Sequence, residues 1–271
     1  MIPPDRTPST IRYPRGTPDP RRDFVVMDAA TLDGPNGFVR AVDAEARAQS
    51  PRARTGVVFV HGFNTNFAEA LMKDVQLRHD PQSPGAGVMF TWPSEAKLMA
   101  YVAGRENALF SRDALADTLG LMQRASLRGY NLVAHSMGTF LAMETLRTLA
   151  LTGDRATLSR INAVVLISAD LEIDLLRRQA PPVLAAGVPI YLLRSAAELG
   201  GLDVGVVDLG AIGSDDAARH LKVGSSPEVI ALVQRIRNSG VSIFDDGQKT
   251  GLLDGSAAIL QGATGAILRP F

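Results

Sequence analysis

The chain contains no cysteine, which excludes disulfides, thiolate metal sites and a cysteine nucleophile. It also has no net charge, since 28 basic and 28 acidic side chains cancel. Without a long-range field or a basic stripe, neither nucleic acid nor an anionic membrane is an expected partner. No uncharged apolar run approaches the ~18 residues that a membrane-spanning helix needs. Histidines number four, and none has the HExxH spacing of a metal hydrolase, so no metal and no other cofactor is expected. A leader peptide is not visible: residues 1–22 hold six prolines and five arginines without an apolar core, and read as an extended arm. The compartment stays open on this reading, cytoplasmic for a complete chain and exported for one whose leader has been removed. Oligomeric state cannot be read from the sequence.

What is present suits a globular enzyme. The 271 residues are 46% hydrophobic and 21% charged, enough for one large core. We assign residues 23–245 to that domain and 246–271, rich in small residues, to a tail that packs loosely or covers it. Candidate strands are FVVM (24–27), VVFV (57–60), VMFTW (88–92), NLVA (131–134), AVVLIS (163–168) and IYLL (190–193), with DVGVVDL (203–209) a weaker seventh. Continuous Val/Ile/Leu runs are expected for strands buried on both faces of a mostly parallel sheet. Between them lie apolar stripes at helical spacing: Phe67, Leu71, Val75; then Leu115, Leu119, Met122; then Met143, Leu146, Leu149. Ser226 and Pro227 read as the start of a last helix. The alternation predicts a three-layer α/β sandwich with a mostly parallel central sheet.

The segment NLVAHSMGTF (131–140) places Ser136 between an apolar run and a helix-like segment. A serine hydroxyl becomes a nucleophile only when a base takes its proton and a sharp turn presents it. In the strand-to-helix elbow G-x-S-x-G the residues two before and two after the serine must be small. Here they are Ala134 and Gly138. As a bare string the pattern is weak, with roughly 0.2 chance matches to [GA]-x-S-x-G in a chain of this length and composition. The strand before it and the helix after it carry the weight.

Upstream, VVFVHGFNTNF (57–67) ends a strand in His61-Gly62 and runs through Phe63 and Asn64 into a helix. Gly62 allows close backbone approach, and the N–H groups that follow can face a developing oxyanion. The order nucleophile, acid, histidine leaves His220 as the base, since His61, His79 and His135 all precede Ser136. The acid has several candidates. Asp170 directly follows AVVLIS and is favoured; Glu198 lies just beyond IYLL; Asp203, Asp208, Asp215 and Asp216 also fall between Ser136 and His220, and Asp174 is expected to be solvated. Phe63, Asn64, Trp92 and Met137 are candidate substrate contacts, while Tyr101 is expected in the core.

Taken together, VFVHGFNTNFAEAL, FTWPS, GRENALFSRDAL, NLVAHSMGTFLAMETLR, VVLISADLEIDLL and HLKVGSSPEV resemble the bacterial α/β-hydrolase family DUF900 over about residues 55–237. The resemblance implies an α/β-hydrolase fold with an esterase-like site, Ser136 as nucleophile and His220, before S-S-P-E-V, as base. Asp170 matches the acidic residue after the family's sixth strand. Where many members carry an aspartate after strand seven, this chain has Ala196, which leaves Asp170 or Glu198 as the acid. The expected function is hydrolysis of small carboxylic esters through a Ser-His-Asp triad, with the N–H groups of Phe63 and Met137 as oxyanion donors. No long insertion after the sixth strand forms a large lid, which favours short to medium acyl chains. The alternatives are a thioesterase or amidase of the same fold, or a decayed hydrolase fold used as a binding module.

Overall fold

The computed structural model describes residues 1–5, 12, 14, 16–51, 54–80, 85–94, 101–194 and 205–208. Six strands form one parallel sheet: β1 (Gly56–Val60), β2 (Ala86–Phe90), β3 (Tyr130–His135), β4 (Ile161–Ile167), β5 (Ile190–Arg194) and β6 (Gly205–Asp208). Their order across the sheet is β2-β1-β3-β4-β5-β6. From β1 the chain steps outward to β2, then returns past β1 to β3 and continues in that direction. The reversal lies between β1 and β3, and the crevice at the carboxyl ends of strands flanking such a point is where open α/β sheets bind ligands.

The continuous runs of the sequence become strands because both faces are covered. All five residues of β1 are buried, and β4 is buried at every position except Asn162. Among the described residues there are seven helices: α1 (Gly34–Arg47), α2 (Phe67–His79), α3 (Tyr101–Phe110), α4 (Arg112–Arg124), α5 (Met137–Thr152), α6 (Arg155–Leu158) and α7 (Ile173–Ala185). None is long and apolar enough to cross a membrane. Right-handed crossovers put α4, α5 and α7 on one face and α2, whose connection runs the opposite way, on the other. The central core lies where α4 and α5 meet the sheet. Leu115, Leu119, Met122, Leu141 and Leu146 pack there on Val58, Leu132, Ala134 and Leu166, all fully buried. Each such side chain contributes about 1.5–3 kcal/mol relative to exposure.

The stripes expected on α4 and α5 are the buried faces of those helices. On α2 the expectation fails. Phe67 is 61% exposed, and the helix buries Ala70, Asp74, Gln76 and Leu77 instead. Asp74 and Arg78 set this rotation: the guanidinium donates to the buried carboxylate at 2.8 Å and lies against the bare backbone of Gly87 on β2. Burial raises the Asp74 pKa more than Arg78 lowers it.

The strand expected at FVVM is not formed. Val26 and Met27 are exposed, and the Val25 backbone pairs with Met1 rather than with the sheet. Asp5 and Arg21 pair through both backbone and side chain, so the first residues return to 21–25. Helix α1 has no counterpart among the expected elements. It buries Val42 and Ala46 and offers the Glu45 carboxylate to the Gly87 N–H of β2 at 3.0 Å, covering a strand that would otherwise present an open edge. The tail from residue 246 and the helix start at Ser226 lie outside the described residues.

Candidate active site

Ser136 is the single residue between β3 and α5, and its backbone takes φ 51° and ψ −129°. Only glycine reaches that region without strain, so surrounding bonds must enforce it. The Ser136 N–H donates to the Ile167 carbonyl at 2.9 Å, and its own carbonyl accepts from the Thr139 N–H and hydroxyl at 2.8 and 2.7 Å. Although Ser136 occupies the cap position of α5, its side chain bonds none of that helix's N–H groups. The hydroxyl is held beside the helix terminus, where unpaired N–H groups and the helix dipole favour negative charge.

Neighbouring small residues follow from how closely α5 approaches β1. A Cβ on Gly138 would stand 2.5 Å from the His61 carbonyl oxygen and 2.7 Å from that of Val60. A Cβ on Gly62 would meet the Ser136 Cβ at 2.8 Å. These contacts tie the loop after β1 directly to the elbow. Ala134 is fully buried, and its methyl joins the core cluster without displacing the turn.

His61 anchors that loop. Its ring is 1% exposed and stacks on Trp92 at 5.5 Å and 9°. The Trp92 N–H donates to His61 Nε2 at 3.3 Å, which makes Nε2 an acceptor and leaves the proton on Nδ1. Nδ1–H then donates to the Gly62 carbonyl at 2.9 Å. The Thr91 hydroxyl is 3.2 Å from Nε2, and the Trp92 indole N–H returns a bond to the His61 carbonyl at 2.9 Å. Burial pushes the His61 pKa below its ordinary value; the Gly62 bond opposes this, and the charge of Lys73 adds to it. The imidazole is therefore neutral and cannot serve as a freely titrating base. By holding the Gly62 carbonyl it fixes the whole Gly62–Phe63 peptide, whose N–H lies trans to that carbonyl.

Helix α3 closes over the loop. The Phe63 ring meets the Tyr101 ring edge-on at 5.6 Å and 78°, and rests on the bare backbone of Gly104, where a Cβ would stand 2.7 Å from it. The Arg105 guanidinium lies 4.2 Å from the centre of the Phe140 ring on α5. Asp170, beyond β4, sends its N–H toward the Ser136 carbonyl at 3.5 Å, while its carboxylate accepts from the Tyr101 hydroxyl at 2.9 and 2.8 Å.

The structure thus gathers Ser136, Met137, Phe63 and Asp170 at the carboxyl ends of β1, β3 and β4. Asn64, at φ 54°, is exposed at the rim, and Trp92 is buried behind His61. Met137 is fully buried, its Sδ close to the bare backbone of Gly104. Tyr101 corrects the expectation of a core residue: it is 38% exposed, because its ring ends at the Asp170 carboxylate rather than under the helix. Asp174 is exposed and paired with Arg177 at 2.8 Å. Sequence reasoning missed His61 as an anchor and Gly104 as a neighbour of the loop; the only visible signal for Gly104 was the string GRENALF in the family resemblance. His220, Glu198, Asp203, Asp215 and Asp216 lie outside the described residues, as does the side chain of Asp208. Among the described residues, no three His, Asp or Glu side chains gather as a metal site.

The family described as alpha/beta hydrolase of unknown function (DUF900) matches residues 44–194, more than half of the chain. The chain belongs to this family. The DUF900 match contains β1 to β5, the elbow, the Gly62 loop and Asp170, and it ends before His220. Comparison with curated proteins finds no match.

Proposed function

We propose that this DUF900 protein is a serine hydrolase acting on carboxylic esters of short to medium acyl chain. The observation that carries the reading is the backbone of Ser136, forced to positive φ at a strand-to-helix turn with the Gly62 loop packed against it. A turn serine with no chemistry to perform would be under no pressure to retain that strain.

Ser136 Oγ attacks the acyl carbon as His220 takes its proton, and the carbonyl oxygen becomes an oxyanion. The N–H of Met137, at the first turn of α5, and the N–H of Phe63, oriented through His61, receive that charge. Each such donor typically removes about 3 kcal/mol from the barrier. Collapse breaks the bond to the alkoxy group, which leaves with the proton held by His220. Water, deprotonated by the same imidazole, then releases the acid from the serine. Asp170 orients the imidazole and stabilises its charged form. The short to medium acyl range rests on the sequence, which carries no long insertion after the family's sixth strand to form a large lid.

Hydrolysis of p-nitrophenyl esters from acetate to dodecanoate tests this. Wild type is expected to turn over the shorter members, and Ser136→Ala and His220→Ala to lose at least about 10³-fold in kcat with thermal unfolding unchanged. Substantial activity in Ser136→Ala would overturn the assignment. A folded wild type inactive on every ester would exclude the ester substrate and direct the search to thioesters and amides.

A further inference from the structure

Tyr101 is placed between two parts of the proposed machinery. Its ring edge meets Phe63 at 5.6 Å, and its hydroxyl reaches both oxygens of Asp170 at 2.9 and 2.8 Å. We propose that Tyr101 is a positioning residue: its hydroxyl fixes the rotation of the Asp170 carboxylate so that the remaining lone pairs are presented to the catalytic imidazole. This rests on the serine-hydrolase reading, with Asp170 as the acid of the triad.

Three observations support it. Asp170 stands in the loop after β4, two residues beyond the positive-φ turn at Ser168, so the loop leaves its side chain free to rotate unless something holds it. A carboxylate offers about four lone-pair sites. One hydroxyl shared between both oxygens fills the gap between them and leaves the outer site of each for an imidazole N–H. Second, burial and then the bond to Asp170 push the Tyr101 phenol above its ordinary range, with Arg105 opposing, so the hydroxyl remains a donor wherever the enzyme works.

Third, the bond is not required by the fold. Tyr101 is 38% exposed, so water is available to its hydroxyl when Asp170 is not. A bond between exposed partners contributes little to stability. Its consequence is therefore expected in the rate and not in the melting temperature. The ring and the hydroxyl also have separate partners, Phe63 and Asp170, so Tyr101→Phe removes one function and preserves the other.

The test is a cycle of wild type, Tyr101→Phe, Asp170→Asn and the double variant, read by p-nitrophenyl butyrate kinetics. The labelling rate of Ser136 by a fluorophosphonate extends the comparison to variants too slow for turnover. Tyr101→Phe is expected to lower kcat about tenfold with KM within about twofold and an unchanged melting temperature. In the Asp170→Asn background the same change is expected to have no further effect, because the hydroxyl then has no carboxylate to hold. An equal loss in both backgrounds, a change in KM alone, or wild-type kcat in Tyr101→Phe would overturn the proposal. Full activity in Asp170→Asn would remove Asp170 from the triad and this proposal with it, leaving the hydrolase reading intact. Activity retained in Ser136→Ala would overturn that reading.

Discussion

At the scale of single residues, His61 ties together the loop that the proposed chemistry depends on. Its Nδ1–H holds the Gly62 carbonyl and its Nε2 receives the Trp92 N–H, so one imidazole ties the loop after β1 to the residues after β2. His61→Phe keeps the stack on Trp92 and deletes both bonds, leaving two buried backbone groups unpaired at a cost of about 2–4 kcal/mol. It is expected to lower kcat about 10–100-fold with little change in KM, the effect of a misdirected oxyanion donor. The pH dependence of stability has a definite sign. Burial holds the folded imidazole below 6.5, so on acidification the unfolded chain takes up the proton first and stability falls as pH drops through 6.5. Thermal melts from pH 8 to pH 5 are expected to show this loss in wild type and a flatter curve in His61→Phe. An equal slope in both would mean that another group carries it. Ser136 was legible in the sequence because an elbow is a local pattern. The role of His61 was not, because its partners Thr91 and Trp92 lie some thirty residues away.

At the scale of elements, the junction of β3 and α5 is held by close backbone approach. Gly138→Ala forces a methyl onto two carbonyl oxygens of β1 and its exit loop, at 2.5 and 2.7 Å. Either α5 or the loop must move, which is expected to cost about 2–3 kcal/mol of stability and most of the activity. Ala134→Gly, at the other small position of the elbow, is expected to cost about 1 kcal/mol through backbone entropy and to retain turnover. Equal activity in the two variants would contradict this account of the turn. The strands were legible because each is a short continuous apolar run, as were α4 and α5, whose stripes are regular. The run FVVM resembles them in composition, yet it pairs with Met1 and stays in solvent; composition alone does not reveal whether a run finds a place in the sheet. Helix α2 buries Asp74, paired with Arg78 over Gly87, and leaves Phe67 exposed, an arrangement that the spacing along the helix alone does not contain.

At the scale of the whole molecule, strand order explains why residues far apart in sequence meet. Stepping out from β1 to β2 and back to β3 sets the His61–Phe63 loop beside Ser136, and the next strand brings Asp170 to the same edge. Helix α3, inserted between β2 and β3, joins the Gly62–Phe63 loop to Asp170 through Tyr101. The parallel sheet and the strand-to-helix turn at Ser136 were readable from the sequence because both are written in contiguous segments. Asp170 was favoured in the sequence over Glu198 because it directly follows AVVLIS, and the fold brings its backbone to the Ser136 carbonyl. The most direct test of the central claim is labelling of the folded protein with a fluorophosphonate, followed by mass mapping of the adduct. The account expects one adduct, on Ser136, formed at a rate that falls when His220 is replaced by Ala. A folded protein that forms no adduct, or forms it on another residue, would contradict it.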